Sequence, residues 1–113
     1  MSKITTHVLD TALGRPAKGV KALLDYRTEE GWQEMAKGVT NDDGRIANLL
    51  GEGEELKAGI YRLSFETKSY FDATKRAGFY PYIAIVFEVE DATQHFHVPL
   101  LLSPYGYSTY RGS

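Results

Sequence analysis

The sequence predicts an all-β sandwich with one short helix, and three observations predict it. Apolar and polar residues alternate along most of the chain, as they do when every second side chain of a strand faces a core. Turn-forming residues recur roughly every eight to twelve positions. Helical spacing occurs in one place, Thr67 to Arg76.

Ile4 to Leu9 is β-branched and threonine-rich and reads as a strand, closed by a polar turn from Asp10 to Pro16. Val20, Ala22, Leu24 and Tyr26 alternate with Lys21, Leu23, Asp25 and Arg27, which marks a strand with one buried face. Glu29-Glu30-Gly31 turns the chain, and Trp32 to Val39 returns beside it. Asn41-Asp42-Asp43-Gly44 is a strong turn, because Asn and Asp bond their own backbone and Gly accepts positive φ. Leu49 to Leu56 reads as a surface loop, with its acidic run Glu52 to Glu55 facing solvent. Gly59 to Glu66 is the next strand. In the helix, Thr67 is expected at the N-cap, and Lys75-Arg76 suit the negative C-terminal end. Tyr82 to Glu90, His95 to Leu102 and Tyr105 to Arg111 complete seven or eight strands. No repeat, linker or low-complexity run divides the chain, so residues 1–113 are expected to form a single domain.

Composition narrows the function classes. The formal net charge of -2 argues against a protein that tracks nucleic-acid phosphates. With no cysteine there is no disulfide, thiolate metal site or sulfur nucleophile, which fits a reducing compartment. The start lacks the apolar core of a signal peptide, and no apolar run approaches the ~20 residues of a membrane helix. A cytoplasmic location is the expectation.

Chemistry concentrates in the last nineteen residues, His95 to Ser113. Strand alternation puts His95, His97 and Pro99 on one face and Phe96, Val98 and Leu100 on the other. The chain has three histidines, His7, His95 and His97, all on predicted strands. A single strand histidine is usually half-buried structure with its nitrogens satisfied. Three on two strands suggest either a base that activates water or, alternatively, a zinc site with an open position. Arg45, directly after a tight turn, and Arg111 are ordinary solvated arginines taken alone. Together with the histidines they offer rigid donors to an anion or an oxyanion. Tyr110, between Thr109 and Arg111, is the tyrosine singled out as a ligand contact. Gly51-Glu52-Gly53 lacks the third glycine and following helix of a phosphate loop.

These residues resemble a known family. Tyr110-Arg111-Gly112-Ser113, preceded by His95-x-His97-Val98-Pro99-Leu100 and Ser103-Pro104-Tyr105-Gly106-Tyr107, is similar to the terminal signature of the transthyretin-like 5-hydroxyisourate hydrolases. Thr6-His7-Val8-Leu9-Asp10 with Gly14-Arg15-Pro16-Ala17, and Thr40-Asn41-Asp42-Asp43-Gly44-Arg45, resemble the other two motifs. The resemblance implies a transthyretin β-sandwich of two four-stranded sheets with one short helix. It also implies a homotetramer, a dimer of dimers with sites in the channel between dimers. The implied reaction is the hydrolysis of 5-hydroxyisourate to 2-oxo-4-hydroxy-4-carboxy-5-ureidoimidazoline in urate degradation, with no metal or organic cofactor. Its implied site is His7, Arg45, His97 and the tail. His7, Arg45, His97 and Ser113 carry the catalytic roles, and His7, Arg45, Tyr110 and Arg111 contact the substrate. The alternatives are a transthyretin-like carrier of small molecules and a zinc-dependent hydrolase using His7, His95 and His97.

Overall fold

The computed structural model describes residues 3–46, 48–50 and 55–113. Eight strands and one helix follow in the order β1 (Ile4–Asp10), β2 (Arg15–Pro16), β3 (Lys21–Thr28), β4 (Gly31–Val39), β5 (Gly59–Phe65), α1 (Thr67–Ala73), β6 (Ile83–Val89), β7 (Phe96–Ser103) and β8 (Gly106–Thr109). They form two four-stranded sheets, ordered β2-β1-β7-β8 and β4-β3-β5-β6. All pairings are antiparallel except β1 with β7, which run side by side in parallel.

The core lies between the sheets. One sheet sends in Ile4, Val8, Leu100 and Leu102, and the other sends in Leu24, Tyr61, Leu63 and Phe65. Along β1 and β5 the inner residues alternate with half-buried neighbours, so a single residue of slip would turn their whole inner set outward. That cost fixes β1 and β7 in register, with Thr5 opposite His97 and His7 opposite Pro99.

The inner side of β1 also carries polar groups, and all of them are satisfied. Thr6 Oγ1 donates to the Val98 carbonyl at 2.7 Å. Asp10, fully buried, accepts from the Leu13 N–H at 3.0 Å, from the Tyr70 hydroxyl at 2.7 Å and from Arg76 Nη2 at 2.5 Å. Burial alone would raise the Asp10 pKa. The hydrogen bonds from Arg76, Tyr70 and Leu13, with the Arg76 charge, outweigh burial and hold the carboxyl below its ordinary value. This cluster clamps α1 and the segment after it to the end of β1.

Three expectations need correction. Leu49, Leu50 and Leu56 are buried, so the ends of the expected surface loop reach back into the core, and Glu52 to Glu54 lie outside the described residues. Thr67 is the first helical residue and not the cap. Its hydroxyl donates to the Tyr80 carbonyl, and the cap position, Glu66, makes no side-chain cap bond. The helix ends at Ala73, and its last turn contains no basic residue, because Arg76 instead turns back toward Asp10. No helix among the described residues is long and apolar enough to cross a membrane.

Candidate active site

Alternation on two adjacent strands builds the site. Because Ile4, Thr6, Val8 and Asp10 face the core, Thr5 and His7 must face outward. On β7 the inward set Phe96, Val98 and Leu100 turns His97 outward in the same way. The register sets the His97 ring beside Thr5, with His7 one pleat further along the neighbouring strand. Strand spacings put the His7 and His97 Cα atoms roughly 8 Å apart. His95, just before β7, falls on the same face and is exposed. Its ring lies nearly parallel to that of His97, with centroids 6.5 Å apart and planes 13° off.

Arg45 reaches this face through its turn. Asn41 Oδ1 accepts from the Asp43 and Arg45 backbone N–H groups, and the Asn41 N–H donates to the Arg45 carbonyl. Gly44 then lies against β1, where its carbonyl accepts from the Val8 N–H at 2.8 Å and Arg45 forms a bridge with His7. Gly44 has φ +76, and a Cβ there would collide with the Val8 carbonyl oxygen. The glycine therefore brings Arg45 alongside His7. Among the described residues no hydrogen bond or ion pair engages the Arg45 guanidinium, so its donors are free for a ligand.

The tail returns along β7. The β8 ladder pairs Leu100 with Thr109, and the chain rejoins where the Gly112 N–H donates to the His97 carbonyl at 2.8 Å. Between these points the ladder is broken. Continuing the register would set Tyr110 against Pro99, which has no N–H to donate. Gly112 packs directly on the His97 ring, and a Cβ built there would stand 2.5 Å from His97 Cδ2. Only glycine permits that approach.

His97 is the electrostatic centre. Its pKa is lowered, first by burial, then by the charges of Arg45, His95 and His7, while a hydrogen bond from the ring to the Thr5 backbone works in the opposite direction. Burial and these like charges all favour the neutral ring. Thr5 Oγ1 lies 2.8 Å from its Nδ1, and among the described residues no side-chain hydrogen bond is made at Nε2.

The structure thus brings together His7, Arg45, His97 and the Gly112 end of the tail. Tyr110 is exposed and shares with His97 a cleft of about 250 Å³ that is also lined by Ile85, Phe87 and Phe96. Ser113 is exposed, next to Gly112. Arg111 lines the same cleft, but its fork is engaged: its Nη2 donates to Gln94 Oε1 at 2.9 Å, and its guanidinium covers the Phe96 ring at 4.5 Å. Among the described residues no three His, Asp or Glu side chains are grouped as metal ligands, so the three-histidine zinc alternative has no geometry behind it. Sequence reasoning missed Thr5, although the alternation that turns His7 outward turns Thr5 outward too. A wider concavity of about 1060 Å³ lies on the outer face of the other sheet, among Lys21, Lys37, Arg62 and Lys68. It contains no histidine, and chemistry rather than size decides which hollow is the site.

The fold and this face define a transthyretin-type sandwich whose outer β1–β7 surface carries the His97 imidazole beside the Arg45 guanidinium. A family model, HIUase/Transthyretin family, matches residues 4–112, and the chain belongs to that family. It is 48% identical over 115 residues to the 5-hydroxyisourate hydrolase of Mus musculus, covering 99% of this chain and 96% of that protein. The structure of Klebsiella pneumoniae 5-hydroxyisourate hydrolase superposes with a TM-score of 0.84 at 38% identity, covering 97% of this chain and 98% of the other. Sea bream transthyretin in complex with thyroxine superposes with a TM-score of 0.91 at 33% identity, covering 98% and 95%. An enzyme and a ligand-binding protein share this backbone, so the side chains must separate the two activities.

Proposed function

We propose that this chain is an enzyme that opens 5-hydroxyisourate by hydrolysis, yielding 2-oxo-4-hydroxy-4-carboxy-5-ureidoimidazoline. The observation that carries the proposal is His97, bonded at Nδ1 by Thr5, on the face that also presents His7 and Arg45, with burial and like charges favouring the neutral ring. The named hydrolases that match nearly the whole chain support the same reading.

Hydrolysis of a cyclic amide needs an activated water, a stabilised oxyanion and a proton for the departing nitrogen. His97 Nε2 takes a proton from water as the water oxygen bonds to the ring carbonyl carbon. The carbonyl electron pair moves onto its oxygen, where the Arg45 guanidinium holds the negative charge. When that pair returns, the C–N bond breaks, and the nitrogen keeps the bonding electrons and takes the proton from His97. His7 orients the water and the ring from the neighbouring strand, and Tyr110 with the Gly112-Ser113 end bounds the pocket. With the Arg111 fork engaged by Gln94 and Phe96, its assigned substrate contact would require release of both partners.

The assembly belongs to the same proposal. β6 and β8 are edge strands of the two sheets, and exposed Val86, Tyr107 and Tyr110 lie on or beside them. Pairing of those edges would give a dimer, and two dimers facing each other across the β1–β7 surface would enclose the sites in a homotetramer. Light scattering after size exclusion tests this, with a mass four times that of the chain expected and a monomer excluding it. A cytoplasmic location rests on the cysteine-free composition and is tested by cell fractionation. Activity is tested by generating 5-hydroxyisourate with urate oxidase and following its ultraviolet decay. Faster decay with the protein supports the proposal, and an unchanged decay rejects it. Slow release of bound but unaltered substrate would favour a carrier.

A further inference from the structure

The proposed base needs more than a low pKa, because a neutral imidazole carries its proton on one of two nitrogens and only one arrangement leaves Nε2 able to accept another. The Thr5 hydroxyl stands between two rings, 2.8 Å from His97 Nδ1 and 3.1 Å from His95 Nε2. A hydroxyl has a single proton to donate, so these contacts form a chain with a direction. Run one way, His97 Nδ1–H donates to Thr5 Oγ1 and the Thr5 O–H donates to His95 Nε2. Run the other way, Thr5 donates to His97 Nδ1, and the His97 proton occupies Nε2.

We propose that Thr5 and His95 are positioning residues that hold His97 as its Nδ1–H tautomer and so present Nε2 as the base. This deepens the proposed hydrolysis and rests on it, because the base role selects the direction of the chain. The geometry is built in by the fold. Register pairing fixes Thr5 opposite His97, and β-alternation puts His95 on the same face. The near-parallel rings let one hydroxyl reach both. Gly112 closes the other side of the His97 ring and prevents it from swinging away. When Nε2 takes the proton of water, the resulting imidazolium keeps donating through Nδ1 to Thr5, so no bond in the chain must reverse during turnover. The charges that act on His97 are Arg45 from the turn, His7 from β1 and His95 before β7, and Glu88, Tyr110 and Arg111 line the cleft it borders, with the Arg111 guanidinium over Phe96.

The test combines nitrogen-15 NMR of the His97 ring with steady-state kinetics on 5-hydroxyisourate. In the wild-type protein at neutral pH the His97 proton is expected on Nδ1, and a proton on Nε2 would overturn the proposal. Thr5→Val, on the outer face away from the core, removes the hydroxyl and keeps the shape. It should lower kcat about tenfold to a hundredfold, with KM little changed, in the range usual for an orienting partner. Thr5→Ser should restore most of the loss. Should Thr5→Val not fold, His95→Phe keeps the ring and removes the acceptor, and it should move part of the His97 population to the Nε2–H form. Wild-type kcat in Thr5→Val, or an unaltered His97 tautomer in His95→Phe, contradicts the assignment. A wild-type protein inactive on the substrate but holding its proton on Nδ1 would reject the hydrolysis and leave the tautomer control standing.

Discussion

The two sides of β1 solve opposite problems with similar residues. Inward, Thr6 and Asp10 are buried and their side-chain oxygens are bonded, with Arg76 and Tyr70 brought from α1 and beyond to satisfy the carboxylate. Outward, Thr5 and His7 are half-buried, and their neighbours His97 and Arg45 keep bonding capacity in hand. The difference separates structure from site. A polar group whose every donor and acceptor is matched holds the fold together, whereas one beside a charge with an open nitrogen can act on a ligand. Asp10 has its pKa lowered by a partner that favours its charge, and His97 has its pKa lowered by burial and by like charges that oppose its charge. The same direction of shift means a tie in one case and a base in the other.

The comparison breaks most sharply at His97. His97→Asn should cut turnover by roughly 10²–10⁴-fold, the usual share of a general base, with the melting temperature near that of the wild type. Circular dichroism alongside the ultraviolet assay checks both halves. Arg45→Met should lower kcat/KM by roughly 10²–10³-fold, as loss of an oxyanion donor does, again with little effect on stability.

The inner side should respond in reverse. Arg76→Met leaves Asp10 buried without its cation and should destabilise the fold by about 3 kcal/mol, while kcat of the folded fraction changes little. The pH dependence has a definite sign. Asp10 is held below its unfolded value of 3.8, so its contribution is present above that pH and fades as pH falls through the lower folded value. The stability gap between wild type and Arg76→Met, measured by urea unfolding, should narrow below that pH. Gly112→Ala should give the smallest effect, because its clash falls on the His97 ring edge near the exposed end of the chain and not in the core. We expect a severalfold loss of kcat, on the order of 1 kcal/mol, without unfolding. Full activity in that variant would show that the tail does not brace His97.

Much of this is legible in the sequence because it depends on local pattern. Alternation over Ile4 to Asp10 and Phe96 to Leu102 announces both strands and their outward faces, and Asn41-Asp42-Asp43-Gly44 announces the turn that delivers Arg45. The two-residue strand β2 is too short to show a period, and it was covered by the turn expected from Asp10 to Pro16. Long-range partners are also invisible from one sequence. Leu49, Leu50 and Leu56 flank glycines and glutamates that read as solvent-facing, yet their own side chains find the core. Thr67 looks like a cap until Tyr80 claims its hydroxyl. Arg111 sits in the terminal motif, but the strand's alternation, once Gly112 is paired with His97, sends its side chain to Phe96. Thr5 carries no motif of its own and gains meaning only through the parallel register that sets it opposite His97.

The central claim is that a neutral His97 is the base, and the pH profile of kcat/KM tests it most directly. Activity should be full at neutral pH and fall on the acid side with a midpoint below 6.5, the ordinary value for histidine, since His97 loses its lone pair only there. The acid limb should move upward in Arg45→Met, where one opposing charge is gone. A wild-type limb centred above 6.5, or one that stays in place in the residual activity of His97→Asn, would contradict the assignment.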